Sequence, residues 1–416
     1  MLAGAGSDLQ NPSVGRKVRL QHAQDRLGVA ARGGRGDGAV RRSGQYIEAL
    51  HAPVLAVSTE CGEGLATRRG RVDGPGVTSD NDIVVIGAGV FGLCAALELQ
   101  RRGRSVMVID PGGENASSVA AGMIAPAMES AIEGVDAGHA ALLRRARDLW
   151  PDFADAFGVT LLAPGAEWRG PGINDIEHRM RALGFDARRD QDVLTTTQDL
   201  QVDPGQALQA MRGRVRIVAG EVETMRREHG RWTVTCQGRD AAAKVVVLAT
   251  GAASPPAGTP EAAARLIGAI QPIRGQIGRI GTRLADHAVR GRGVYVAPGI
   301  TGAVVGATMD VGRRDLEPDA ADGERLTSAA SALLGRDLFD LPVEWKVGVR
   351  GASPDGLPII GRAPDGEDLW LSLAPRRNGW LLGPLAGRII ADGVSGKPED
   401  ADVRRLDPGR FHPAVG

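Results

Sequence analysis

The run Asp82-Ile-Val-Val-Ile-Gly-Ala-Gly-Val-Phe-Gly-Leu93 carries an apolar strand straight into Gly87, Gly89 and Gly92, with a helical pattern behind it. Ile83 to Ile86 are apolar and β-branched with no polar alternation, as in a strand covered on both faces of a parallel sheet. Gly87 permits the tight turn, Gly89 lets backbone approach a phosphate, and Gly92 lets helix and strand pack closely. The helix is expected from about Phe91 to Arg102, with Leu93, Ala96, Leu97 and Leu99 on its apolar positions and Gly103 as its stop. The next strand, Ser105 to Ile109, ends at Asp110, where a carboxylate can accept hydrogen bonds from both ribose hydroxyls of an adenosine. Together these features predict a dinucleotide with its pyrophosphate on a helix N-terminus. A glycine-rich turn in an ordinary βαβ unit is the competing reading, and the motif alone does not separate NAD from FAD.

The segment Ser117-Ser-Val-Ala-Ala-Gly-Met-Ile-Ala-Pro126 follows, and its small residues let a loop lie flat against a large planar group. Further on, Lys244-Val-Val-Val-Leu-Ala-Thr-Gly251 reads as a buried strand ending in a tight turn, a second nucleotide-contacting strand of the kind flavoproteins use.

The chain has 416 residues, enough for two domains. Lys plus Arg and Asp plus Glu are 50 each, and this balance argues against a nucleic-acid partner. Cys61, Cys94 and Cys236 are too few and scattered for a disulfide framework or a zinc site, so a reducing cytoplasm is the default. The histidines show no metal-ligand spacing and no metal is expected. No apolar run is long enough to span a membrane. Residues 1–80 contain no Phe or Trp and are rich in Gly and Arg, so they are read as a disordered extension. An RNA-binding tail and translation from a start at Val77 are the alternatives there.

The chain resembles the FAD-dependent D-amino-acid oxidase superfamily, and within it the glycine oxidases of thiamine biosynthesis. The matching stretches include Ile83–Gly92, Ala120-Ala-Gly-Met-Ile-Ala-Pro126, Pro272-Ile-Arg-Gly-Gln276, Val305-Gly-Ala-Thr-Met309, Gly348-Val-Arg-Gly-Ala-Ser-Pro-Asp-Gly-Leu-Pro-Ile-Ile-Gly361 and Arg377-Asn-Gly-Trp-Leu-Leu-Gly-Pro384, in family order. The resemblance implies an α/β fold, a Rossmann-type FAD-binding domain with a mainly antiparallel α+β substrate domain. The FAD domain is placed at 81–165, 200–265 and 348–416, and the substrate domain at 166–199 and 266–347. It implies noncovalent FAD held by Gly87, Gly89, Val90, Phe91, Gly92, Asp110, Pro111, Ser117, Ala121, Gly122, Met123, Val222 and Gly251, and by Arg376, Arg377, Asn378, Gly379, Trp380 and Leu381. It implies a substrate site of Arg350, Tyr295, Arg377, Met309 and Met123. The partners implied are a small amino acid, molecular oxygen and further copies of the chain.

The residues support these roles in part. A planar guanidinium at 350 suits bidentate capture of a carboxylate, although an isolated arginine is more often a salt-bridge residue. Tyr295, alternating with Val294 and Val296, also suits a sheet surface, and methionines are ordinarily core filler. One departure stands out. The family's Gly-His-x-Arg-Asn-Gly is Ala374-Pro-Arg-Arg-Asn-Gly379 here, so the histidine is absent and Pro375 removes a backbone donor. That leaves open an electron acceptor other than oxygen, as in a D-amino-acid dehydrogenase. A final helix is expected at about Leu382 to Asp392.

Overall fold

A computed structural model describes residues 80–398 and 400–411. The reading of residues 1–80 as an extension lies outside them, apart from Asp80, which opens the first strand.

That strand, β1 (Asp80–Ile86), leads into helix α1 (Val90–Arg101) and strand β2 (Val106–Asp110). The helix stops where expected, because Gly103 takes the left-handed φ of +78° that a side chain would resist. β1 lies parallel to β2 on one side and to Arg239–Leu248 on the other. Among the described residues the sheet has eight strands. Arg216–Ala219 borders β2, and Leu369–Leu373 runs parallel to the end of Arg239–Leu248. The antiparallel pair Val222–Glu228 and Arg231–Cys236 closes its far edge. Ile83 and Val85 pack on one face with α1, while Val84 and Ile86 pack on the other with Met225 and Trp232. Burial on both faces explains why β1 lacks polar alternation.

The last helix, Gly379–Val394, packs on α1. It begins before the expected Leu382 and runs through Pro384. A proline removes the N–H that would bond the carbonyl four residues earlier. That carbonyl belongs to Trp380, and the indole N–H of buried Trp150 donates to it at 2.9 Å. A distant tryptophan thus satisfies the group the proline leaves open. The helices meet at glycine: a Cβ on Gly387 would stand 2.5 Å from the Cys94 carbonyl oxygen.

A second sheet, of nine strands among the described residues, is antiparallel except where Ala288–Gly291 runs parallel to Ala166–Arg169. Its centre is the Gln271–Ile280 strand, paired along its length with Val343–Ala352. Val294–Gly299 and Gly302–Gly306 continue it. No helix among the described residues is long and apolar enough to cross a membrane.

Candidate functional site

Two clefts share a wall. Val349 lines one and Arg350, the next residue of the same strand, lines the other. Likewise Ser117 faces the first cleft and Ala120 to Met123 the second.

The first cleft, about 1000 Å³, opens at the ends of β1 and β2 and is lined by Gly87, Gly89, Asp110, Pro111, Val222 and Gly251 among others. Its floor admits no side chain. Gly87 has φ +107°, and a Cβ there would meet the Ala249 carbonyl oxygen at 2.4 Å. A Cβ on Gly92 would lie 1.9 Å from the Gly87 carbonyl oxygen. Backbone thus reaches the cleft directly, as a pyrophosphate requires. The Asp110 carboxylate stitches the turn together: Ala88 N–H donates to Oδ2 at 2.6 Å, and Gly112 N–H to Oδ1 at 2.9 Å. Arg212 also donates to Oδ1, at 3.2 Å, which leaves Oδ2 the freer oxygen for a ribose. The Thr250 hydroxyl is buried at this cleft with no partner among the described residues, a polar group in want of a ligand.

The second cleft, about 480 Å³, collects all five residues expected at the substrate: Arg350, Tyr295, Arg377, Met309 and Met123. The Arg350 guanidinium lies across Gly275, where a Cβ would come within 2.5 Å of Nη2. It donates to the Thr308 carbonyl at 3.4 Å and to the Met309 sulfur at 3.7 Å. It has no carboxylate partner among the described residues, and desolvation holds its pKa below the ordinary arginine value. Tyr295 is fitted against backbone in the same way, since a Cβ on Gly306 would strike its hydroxyl at 2.3 Å.

Arg377 is different. Its Nε lies 2.9 Å from Glu129 Oε2 and its Nη1 2.9 Å from Glu133 Oε1, and Glu129 is the main reason its pKa is raised. Glu129 also accepts from buried Arg290 at 2.7 Å. Burial opposes its ionisation, yet Arg377 and Arg290 together hold its pKa below the usual carboxylate range. Nearby Asp199 caps the Pro126–Glu133 helix through the Ala127 and Met128 N–H groups. Burial outweighs those donors and pushes its pKa to about 7.

The remaining expected residues divide. Ala121, Gly122, Asn378 and Trp380 line the second cleft. Val90, Phe91, Gly92 and Leu381 are buried in the packing of the helices and line neither cleft. Arg376 pairs with Glu133 at 2.6 Å, and Gly379 starts the final helix. At the departure from the family pattern, Ala374 adopts a left-handed φ of +56° and Arg376 one of +51°. Sequence reading missed Glu129, Arg290, Trp168 and Thr250 as lining residues. Thr250 sat inside a quoted strand-end motif and was open to notice; Glu129 and Arg290 carry no spacing signal.

A mixed sheet, parallel at its centre, with a glycine-floored cleft, joined to a mainly antiparallel sheet carrying a second cleft, is the arrangement of a dinucleotide-dependent enzyme. The chain belongs to the FAD dependent oxidoreductase family, whose model matches residues 82–393, and FAD is its cofactor. It is 29% identical over 410 residues to the tRNA 5-methylaminomethyl-2-thiouridine biosynthesis bifunctional protein MnmC of Caulobacter sp. (strain K31), covering 91% of this chain but only 65% of that protein. It is 26% identical over 358 residues to the glycine oxidase of Bacillus licheniformis, covering 76% of this chain and 94% of that one. The crystal structure of glycine oxidase from Geobacillus kaustophilus superposes with a TM-score of 0.67 at 23% identity, over 79% of this chain and 98% of that one.

Proposed function

We propose that this chain oxidises the carbon–nitrogen bond of a small amino acid, with glycine, sarcosine and small D-amino acids as the candidate substrates. The observation that carries this reading is Arg350, a half-buried guanidinium without a carboxylate partner among the described residues, facing a cleft that shares a wall with the dinucleotide cleft. A planar fork of donors in that position orients a carboxylate as well as neutralising it.

In this proposal Gly87, Gly89, Asp110, Thr250 and Val222 hold the adenine dinucleotide, while Ala121 to Met123 and Asn378 to Trp380 wall the ring. FAD, when bound, supplies the two-electron acceptor. Arg350 fixes the carboxylate end, Tyr295 closes one side, and Met309 and Met123 supply apolar walls that exclude water. Arg377, already neutralised by Glu129 and Glu133, shapes the wall and leaves the carboxylate to Arg350. Positioning carries the catalysis, so no protein base is required at the α-carbon. The eight-stranded sheet and its helices form the cofactor part of the chain and the nine-stranded sheet the substrate part. Oxygen as the final acceptor, hydrogen peroxide as its product, and an imine that supplies thiamine thiazole synthesis complete the proposal, in a cytoplasmic homo-oligomer.

The bifunctional relative favours a second reading, in which the amine is secondary and carried on a modified uridine of RNA. One panel separates the two. The FAD-loaded chain is mixed without air with glycine, sarcosine, D-alanine and unfractionated tRNA, and the flavin absorbance near 450 nm is followed. Bleaching by the free amino acids supports the main reading, and bleaching by tRNA alone replaces it. Admitting air and measuring peroxide then tests the acceptor, where Pro375 makes a dehydrogenase the alternative.

A further inference from the structure

We propose that Arg274 is the positioning residue for Arg350: it clamps the segment 308–319 from the opposite face of the sheet and so sets the wall against which Arg350 grips its carboxylate. This rests on the reading of Arg350 given above.

The geometry begins with register. Ile273 pairs with Arg350, and the guanidinium lies over Gly275, so positions 273 and 275 share the substrate face of their strand. Arg274 and Gln276 alternate to the other face. Arg274 is fully buried, yet three carboxylates from one stretch of chain surround it: Asp310 at 3.0 Å, Asp315 at 3.0 Å and Asp322 at 3.6 Å. It also donates to the Glu317 carbonyl. Gln276 completes the clamp, donating to the Asp319 carbonyl at 2.8 Å and accepting from the Asp319 N–H at 2.7 Å.

The link to the other face is Thr308. Its hydroxyl accepts from the Gln276 N–H at 2.9 Å and donates to the same Asp310 Oδ2 that Arg274 holds, at 3.2 Å. Its carbonyl, turned the other way, accepts from Arg350 Nη1. Arg274, Asp310, Thr308 and Arg350 therefore form a continuous chain of polar contacts from one face of the sheet to the other. The clamp is also built against substitution. A lysine keeps the charge but, as a single point donor, cannot span Asp310, Asp315 and the Glu317 carbonyl at once. Met309 and Thr308 line or support the substrate cleft, while Arg314 and Leu316 of the same segment line the cofactor cleft, so the clamped segment touches both sites.

The test uses the FAD-loaded full chain and glycolate as a carboxylate probe, with binding read as the perturbation of the flavin spectrum. Arg274→Lys and Thr308→Val should each raise the glycolate Kd about tenfold through misplacement of the wall, Thr308→Val with FAD content and melting temperature near those of the parent and Arg274→Lys with a lower melting temperature. Thr308→Ser, which keeps the hydroxyl, should bind as the parent does. In turnover the two loosening variants should raise KM with kcat little changed. Parent-like glycolate binding by Thr308→Val overturns the inference, and that variant decides the matter alone if Arg274→Lys does not fold. A loss of FAD and stability in Thr308→Val that Thr308→Ser shares also overturns it, because the role is then structural. A parent chain that takes up FAD but binds no small carboxylate removes the reading of Arg350 and the inference with it, a result distinct from failure of the variants alone.

Discussion

Arg377 and Glu129 form an ion pair, Nε to Oε2 at 2.9 Å, on the wall of a cleft that Arg350 also lines, and Arg350 has no acid partner among the described residues. Arg377 and Arg350 thus differ in status within one cleft, the first paired with carboxylates and the second not.

Glu129→Gln should therefore harm the fold. It leaves Arg290, 3% exposed at its side chain, and Arg377 without their shared carboxylate. Breaking a buried pair by removing one partner costs about 3–5 kcal/mol. Urea unfolding of parent and variant measures it, and a loss well under 1 kcal/mol would show that the surrounding groups rearrange freely.

Arg350→Ala should leave FAD bound and the fold intact, since Arg350 makes no ion pair among the described residues. Its cost should fall on carboxylate binding, about 2–5 kcal/mol from loss of a partly desolvated charge contact. Titration with glycolate, or the KM for whichever amino acid bleaches the flavin, reads it directly. Unchanged glycine turnover in this variant would assign the carboxylate to another residue.

Gly387→Ala sets two effects against each other. Alanine favours helix over glycine by about 1 kcal/mol. The added Cβ, however, would stand 2.5 Å from the Cys94 carbonyl oxygen, a backbone atom that cannot swing away. Overpacking of this kind costs about 1–3 kcal/mol, so the contact should win. Reduced stability together with weaker FAD retention is expected, because α1 also carries the glycine turn. A stabilised variant would mean that the two helices part at little cost.

Asp199 should make stability depend on pH. Its folded pKa of about 7 lies above the value near 3.9 of an unfolded aspartate. The folded state therefore binds the proton more tightly, and the contribution is whole below about pH 4. It is lost as pH rises through about 7, at up to about 1.4 kcal/mol per pH unit. Asp199→Asn should remove this component. The difference in denaturation midpoint between parent and variant, measured at pH 5 and pH 8, should move in favour of the variant at the higher pH. A constant difference would place ionised Asp199 comfortably in the fold.

Much of the cofactor end was legible in the chain, because its rules are local. Gly87, Gly89, Gly92 and Asp110 sit within one strand–helix–strand unit, and the helix Val90–Arg101 falls within a residue of the expectation. The final helix was less legible. Its passage through Pro384 depends on Trp150, and nothing near Pro384 in sequence announces that donor. The grouping of five scattered residues at the second cleft was legible through family motifs. Its ion pairs were not, since Glu129 meets partners 161 and 248 residues away and no spacing rule reaches that far.

Arg350 stands within a long antiparallel ladder, while the cleft around it is finished by the hairpin tip at Arg292-Gly293, the helix Ile173–Ala182 and the segment after Gly306. Under the proposed function, one end of the ligand would be held by a part that cannot change without shifting the register of a sheet. The other end meets loops, which tolerate replacement. If the proposed function holds, such a scaffold could acquire a taste for new amines, in evolution or in the laboratory, while keeping its grip on the acid they share.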